Sequence, residues 1–129
     1  MPHFRGCSGE LNRRPRAYHS GDAEEVDWIL KRLLAANDGR KLHAAGVSLG
    51  GNTLLKWAGE QGSAAGAVVT GVAAICTPLD LTACGHHLAR GFNRVYTRHF
   101  LNTMKLASAA RLRLFPGLFD EERMPRAIN

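Results

Sequence analysis

Apolar residues recur along this chain at two different spacings, which predict alternating helices and strands. Over residues 22–37 they return every three or four positions, as on a helix with one buried face. Residues 40–47 and 67–75 are short, mostly apolar runs next to turn residues, and the valine-rich second run favours a strand buried on both faces. Residues 49–61 return to helical spacing. This order predicts an α/β fold with parallel strands joined by right-handed crossovers.

Beyond residue 79 the pattern is helical only. A short helix is predicted over residues 80–88, with Asp80 as its N-cap, and a longer one over 93–114. One side of the longer helix is apolar: Tyr96, Phe100, Met104, Ala107, Ala110 and Leu114. We therefore expect a single partial domain, in which residues 1–79 form a strand/helix core and residues 80–129 a helical, cap-like segment.

The net charge of +6 is concentrated in the second half of the chain. The basic residues there are Arg90, Arg94, Arg98, Lys105, Arg111, Arg113, Arg123 and Arg126. A solvated helix face accounts for such a stretch most simply. Because the helix lacks a recognisable helix-turn-helix or aromatic platform, we expect no nucleic-acid partner.

The cysteines and the hydropathy of the chain indicate the cellular compartment in which the protein is expected. No apolar run is long enough to span a bilayer, and the first residues lack the apolar core of a secretory signal. Cys7, Cys76 and Cys84 are an odd number and contain no C-x-x-C pair. These features predict a cytoplasmic protein with reduced thiols and no transmembrane segment.

The chemistry of the chain centres on the sequence Gly46-Val47-Ser48-Leu49-Gly50-Gly51, which has the G-x-S-x-G pattern. In that pattern a serine sits on a strained turn between a strand and a helix, and glycines beside it avoid steric clashes. The free N–H groups at the start of the helix favour the negative charge that forms when a carbonyl is attacked. Ser48 is therefore the candidate nucleophile. The turn over residues 46–51 is called the nucleophile elbow, and Gly46, Gly50 and Gly51 are its glycines. The alternative is a glycine-rich turn whose serine caps a helix.

Four sequence blocks together resemble the YheT-like branch of the α/β-hydrolases, which contains predicted carboxylesterases and related lipid-acting hydrolases. The blocks are His3-Phe4-Arg5-Gly6-Cys7-Ser8-Gly9-Glu10, Tyr18-His19-Ser20-Gly21, Gly46-Val47-Ser48-Leu49-Gly50-Gly51-Asn52 and Gly91-Phe92-Asn93-Arg94-Val95-Tyr96. The resemblance implies a partial α/β-hydrolase fold, with parallel strands, flanking helices and a helical cap segment. It also implies hydrolysis of short-chain or lipid esters through an acyl-enzyme on Ser48, with the Leu49 N–H as one oxyanion donor.

The resemblance leaves parts of the catalytic machinery unassigned. Members of this fold take the second oxyanion donor from an upstream H-G-x-x-G-like loop, and the triad acid and histidine follow later strands. In this chain Asp80 followed by His86 or His87 has the right order, but these residues lie in the cap-like segment. We therefore expect the isolated chain to lack both the triad acid and the base.

Two other histidine-containing features are assigned no catalytic role. His43 precedes the elbow and is predicted to be a packed core histidine. Cys84-Gly85-His86-His87 lacks a second ligand pair at a recognisable spacing, so no metal or other cofactor is expected.

A second hypothesis treats the chain as a truncated, non-catalytic fragment or interaction module of α/β-hydrolase descent. Sheet edges left without a neighbouring strand would then favour self-association. In the first hypothesis the partner is a small-molecule or lipid ester substrate.

Overall fold

Helices and strands alternate as predicted in the computed structural model, which describes residues 1–126. The main elements are α1 (Ala23–Ala36), β1 (Leu42–Val47), α2 (Leu49–Gln61), β2 (Val69–Ile75), α3 (Leu81–Leu88) and α4 (Asn93–Leu114). They belong to two compact units. The first unit contains Met1–Pro2 and Tyr18–Leu79, and the second contains His3–Ala17 and the chain from Asp80 onward.

The two strands of the first unit lie side by side and parallel. Leu42 pairs with Val69 and Val47 with Ile75, with one register shift between Leu42 and His43. The chain between the strands forms α2 and a 3-10 helix over Gly62–Ala67, so β2 begins at Val69 and not at residue 67 as expected. Because parallel strands need such a crossover, this arrangement confirms the predicted α/β class.

The core of the first unit forms where α1 and α2 meet the strands. Its buried members are Ala23, Leu30, Leu54, Trp57, Val68 and Val69. Trp57 is the largest fully buried side chain, at 1% exposure, and its indole Nε1 donates a hydrogen bond of 3.0 Å to Asp27 Oδ1 on α1. Burying an indole is favourable when its N–H finds an acceptor, so this bond fixes α1 on α2.

The carboxylate of Asp27 makes the stability contributed by this contact dependent on pH. Lys31 Nζ lies 2.7 Å from Asp27 Oδ2, and hydrogen bonds from Lys31 and Trp57 lower the pKa of Asp27. Because the pKa of Asp27 is lower in the folded chain than in the unfolded chain, its carboxylate stabilises the fold at pH values above the unfolded-state pKa. This contribution is lost as the pH falls through the folded-state pKa.

We expect Asp27→Asn to reduce the free energy of unfolding at pH 6, where the carboxylate is charged, and to matter less at pH 3. The amide can still accept from Trp57, but it cannot form the ion pair with Lys31. Urea unfolding at both pH values tests this, with Asp38→Asn as the control at an exposed carboxylate. An equal loss at both pH values would contradict the linkage.

The sheet is covered on one face, which overturns two sequence expectations. In β1 the residues alternate between half-buried and exposed, and His43 is exposed and not a packed core histidine. In β2 only Val69 is buried, so the expected burial on both faces is wrong. Both errors have one cause: a strand is buried on both faces only when layers pack on both sides of its sheet.

Aspartates precede both α1 and α3, but their side chains behave differently. Asp80 Oδ1 accepts a hydrogen bond of 2.8 Å from the Ala83 N–H, which confirms its role as N-cap of α3. Asp22 makes no side-chain capping bond to α1 and is buried, at 2% exposure. The predicted N-cap at Asp80 is therefore confirmed, whereas the buried carboxylate of Asp22 does not cap α1.

In the second unit α3 and α4 are joined by polar contacts. Thr97 Oγ1 donates a hydrogen bond of 2.7 Å to the carbonyl of Leu88. The apolar side predicted for α4 faces outward at several positions, since Tyr96 is 58% and Phe100 47% exposed. Among residues 1–126, no helix combines the length and hydropathy needed to cross a bilayer.

Candidate active site

Ser48 lies at the junction between β1 and α2. Its φ of 52° and ψ of −121° place a non-glycine residue in a sparsely populated backbone conformation. The Ser48 N–H donates a hydrogen bond of 2.8 Å to the Ile75 carbonyl, which holds the turn against the neighbouring strand. The residue is exposed to solvent, as a nucleophile at a strand–helix turn must be.

The elbow glycines have unequal roles. A Cβ placed on Gly46 would lie 2.6 Å from the Gly50 carbonyl carbon and 2.7 Å from the Gly51 nitrogen, so the end of β1 packs directly on the first turn of α2. A Cβ on Gly51 would overlap Thr77 Oγ1 and lie 3.0 Å from the Gly46 carbonyl oxygen. A Cβ on Gly50 would meet nothing within 4 Å, so the clash expected at Gly50 is absent and the second close approach is at Gly51.

The first turn of α2 supplies hydrogen-bond donors close to Ser48. The Ser48 carbonyl accepts from the N–H groups of Gly51 and Asn52, at 3.0 and 3.1 Å. Leu49, as the first residue of the helix, has no helical acceptor for its own N–H. Such N–H groups and the positive helix end can stabilise an oxyanion that forms next to Ser48.

The end of β2 lies beside Ser48. Since Val47 pairs with Ile75, the next residues, Ser48 and Cys76, leave the same edge of the sheet side by side. Cys76 has a positive φ of 49° and is exposed. The hydroxyl of Thr77, one residue further, is buried and has no hydrogen-bond partner among the described residues.

Asn52 connects this edge to the loop before α1. Its Oδ1 accepts a hydrogen bond of 3.0 Å from the Gly21 N–H, and its Nδ2 donates one of 3.0 Å to the Pro78 carbonyl. The sequence reasoning assigned no role to Asn52. The available signal was an asparagine inside the predicted helix, a position where its short polar side chain is unfavourable unless it bonds elsewhere.

Among the residues that the structure describes, none is hydrogen-bonded to Ser48 as a general base. Within residues 1–126 no side chain forms a hydrogen bond with the Ser48 hydroxyl. His43 lies five residues earlier on β1, about 16 Å away along an extended strand. His19 is in the first unit and places its Nδ1 2.7 Å from the Ser20 carbonyl oxygen.

The other triad candidates belong to the second unit. Asp80 is engaged as the cap of α3, and His86 and His87 lie exposed on that helix. The Arg5-Gly6 segment forms a turn in the same unit, where the Cys7 N–H donates to the Phe4 carbonyl at 2.9 Å. In the part of the chain that the structure describes, no three His, Cys, Asp or Glu side chains gather as metal ligands.

Several proteins show clear sequence similarity to the chain, and three of them are described below. YheT of Escherichia coli (strain K12), which is named as an esterase, is 41% identical over 115 residues, which cover 89% of this chain and 33% of YheT. The phospholipase ABHD3 of Mus musculus is 27% identical over 95% of this chain and 30% of its own length. The embryogenesis-associated protein EMB8 of Picea glauca is 26% identical over 94% of this chain and 26% of its own length.

The chain thus spans about a third or less of the length of these relatives. No protein-family profile matches it, and no solved structure matches it. With the parallel sheet and its flanking helices, the similarities indicate a segment of the α/β-hydrolase family.

Proposed function

We propose that this α/β-hydrolase segment supplies the nucleophile of a serine esterase, and that Ser48 is that nucleophile. The observation that carries the proposal is the backbone of Ser48, which has a positive φ at an exposed strand–helix junction. A non-glycine residue rarely adopts this conformation, and strained residues of this kind cluster at functional sites. The esterase and phospholipase names of two relatives support the same class of chemistry.

The proposed reaction follows the usual course of acyl transfer. Ser48 Oγ attacks the ester carbonyl carbon while a base removes its proton, and the carbonyl oxygen becomes an oxyanion near the Leu49 N–H. Collapse of this intermediate breaks the bond to the leaving alcohol, which takes up the proton and leaves an acyl-enzyme. Water then attacks the acyl carbon, releases the carboxylic acid and restores the serine.

Among the described residues, no side chain forms a hydrogen bond with the Ser48 hydroxyl that would identify this base. A serine hydroxyl without a base is a weak nucleophile, so the 129-residue chain by itself is expected to be inactive or nearly so. The proposed substrate is a carboxylic ester, either a small molecule or a lipid. We also keep a cytoplasmic location as part of the proposal, supported by the three free thiols of Cys7, Cys76 and Cys84.

A fluorophosphonate tests the nucleophile directly, because it forms a phosphorus–oxygen bond with a reactive serine and releases fluoride. We expect the folded chain to be labelled slowly but selectively on Ser48, since the turn and the helix start assist attack there although no described side chain is hydrogen-bonded to its hydroxyl as a base. Peptide mass spectrometry distinguishes this site from the other serines, which are Ser8, Ser20, Ser63 and Ser108.

The same chain unfolded in urea is the control, because it keeps every serine but loses the turn. Labelling that is spread over several serines, or that is equal in the folded and unfolded chain, would contradict the assignment of Ser48.

The second candidate function is that of a non-catalytic interaction module. The observation that favours it is apolar surface on the exposed side of the sheet, where Val47 is 63% and Ile75 49% exposed. In this view the uncovered strands pair with another chain, including a second copy of this one. A folded chain whose Ser48 does not react selectively would favour this candidate.

A further inference from the structure

We infer that Asn52 is a positioning residue, whose side-chain amide holds residues 76–78 in place beside Ser48. This inference rests on the proposed role of Ser48 and adds to it a second residue whose substitution should change the reactivity of the serine. It also explains why the side chain of a helical asparagine is directed to two partners outside its own helix.

Asn52 is rigidly tied to Ser48. Asn52 lies in the first turn of α2, and its backbone N–H donates a hydrogen bond of 3.1 Å to the Ser48 carbonyl. Any shift of the elbow relative to the helix would break this bond. The side chain of Asn52 therefore moves with the turn that carries the nucleophile.

Residues 76–78 are attached at both ends to the elbow. At the beginning, the Ser48 N–H binds the carbonyl of Ile75 at 2.8 Å. At the far end, Asn52 Nδ2 binds the carbonyl of Pro78 at 3.0 Å. Between these points, the Thr77 hydroxyl has no hydrogen-bond partner among the described residues. The amide of Asn52 is thus the polar attachment at the far end of this segment.

The oxygen of the Asn52 amide has a partner of its own. Asn52 Oδ1 accepts from the Gly21 N–H, and this bond is formed by a separate atom from the one that binds Pro78. The two bonds can consequently be removed one at a time. Asn52→Ala removes both, whereas Asn52→Asp keeps an oxygen acceptor for Gly21 and loses the donor to Pro78.

Thr53→Val is a matched control. The Thr53 hydroxyl is buried and donates within its own helix, to the carbonyls of Gly50 and Leu49 at 3.0 and 3.3 Å. Its removal weakens the same helix turn without touching residues 76–78. A purely structural effect of Asn52 on helix stability would therefore be shared by this variant.

The experiment uses the 129-residue chain and two measurements, at a temperature where each variant is folded. Nitrogen-15 relaxation at Thr77 and Leu79 reports the order of the segment, since Pro78 has no N–H. Amide exchange at Gly21 reports the other bond. The rate of fluorophosphonate labelling of Ser48, separated into a binding constant and a maximal rate, reports the consequence for reactivity.

We expect Asn52→Asp and Asn52→Ala to disorder Thr77 and Leu79 and to lower the maximal labelling rate about 10- to 100-fold, as small misplacements near a reacting group do. Only Asn52→Ala should lose protection at Gly21, and Thr53→Val should change none of the three. The inference would be overturned if Thr77 and Leu79 kept their order in the two Asn52 variants. It would also be overturned if these variants were labelled on Ser48 at the rate of the unsubstituted chain.

This design separates the two proposals. If the unsubstituted chain does not label at Ser48, the proposed nucleophile is wrong. The relaxation and exchange data then decide by themselves whether Asn52 holds residues 76–78. If Ser48 labels but the Asn52 variants behave like the unsubstituted chain, the nucleophile stands and the positioning role is wrong.

Discussion

Replacing Ser48 by alanine is expected to lower ester hydrolysis roughly 10⁴-fold or more in a complete hydrolase that carries this segment, because the acyl-enzyme can no longer form. A suitable complete enzyme is a hybrid of YheT in which the 115 aligned residues of this chain replace their counterparts. At 41% identity the exchange preserves much of the local sequence, and the rest of YheT supplies the flanking chain. Initial rates with a chromogenic short-chain ester give the comparison.

Ser63→Ala in the same hybrid is the control, since Ser63 is exposed on the 3-10 helix after α2 and lies outside the elbow. We expect it to retain normal rates. Binding of the ester to Ser48→Ala should persist, because the lost interaction belongs to the reaction and not to substrate recognition. If Ser48→Ala kept the rate of the parent hybrid, another residue would have to be the nucleophile.

The largest expected loss of stability follows from Gly46→Ala. The added methyl group would overlap the backbone of the first turn of α2, at 2.6 Å from the Gly50 carbonyl carbon and 2.7 Å from the Gly51 nitrogen. Backbone atoms cannot move aside without separating β1 from α2. We expect a loss of about 3 kcal/mol or more in the free energy of unfolding, measured by urea denaturation.

Gly50→Ala provides the opposite result from a position four residues away. A Cβ there meets nothing within 4 Å, and Gly50 lies in α2 without a positive φ. Alanine in a helix is favoured over glycine by up to about 1 kcal/mol, so this variant should be as stable as the original chain or more stable. Similar losses in both variants would show that the tight contact at Gly46 does not determine the elbow.

The positions of the secondary-structure elements were largely predictable from the sequence. The spacing of apolar residues located α1 and α2, and the apolar runs located both strands, because these patterns depend on residues close together in the chain. The two helices beyond residue 79 also lie where the pattern placed them. The start of β2 was misplaced by two residues, because the alanine- and glycine-rich sequence before it forms a 3-10 helix.

Burial was predicted less well, because it depends on what packs on each face. The run from Val69 to Ile75 has the composition of a strand covered on both sides, yet only Val69 is buried. His43 was expected inside and is exposed, since it points away from the face that the helices cover. A sequence pattern records the preference of a strand for burial but not whether a second layer is present.

The α/β alternation and the candidate nucleophile could both be inferred from the sequence, since each follows from residues that are neighbours along the chain. Which glycine is sterically required beside Ser48 follows from the fold, because the close approaches at Gly46 and Gly51 involve atoms several residues or a whole strand away. The fold also brings Asn52 to its two partners, which are 31 and 26 residues distant in sequence. Contacts of that kind arise from the folding of separate elements onto one another, and local sequence patterns do not encode them.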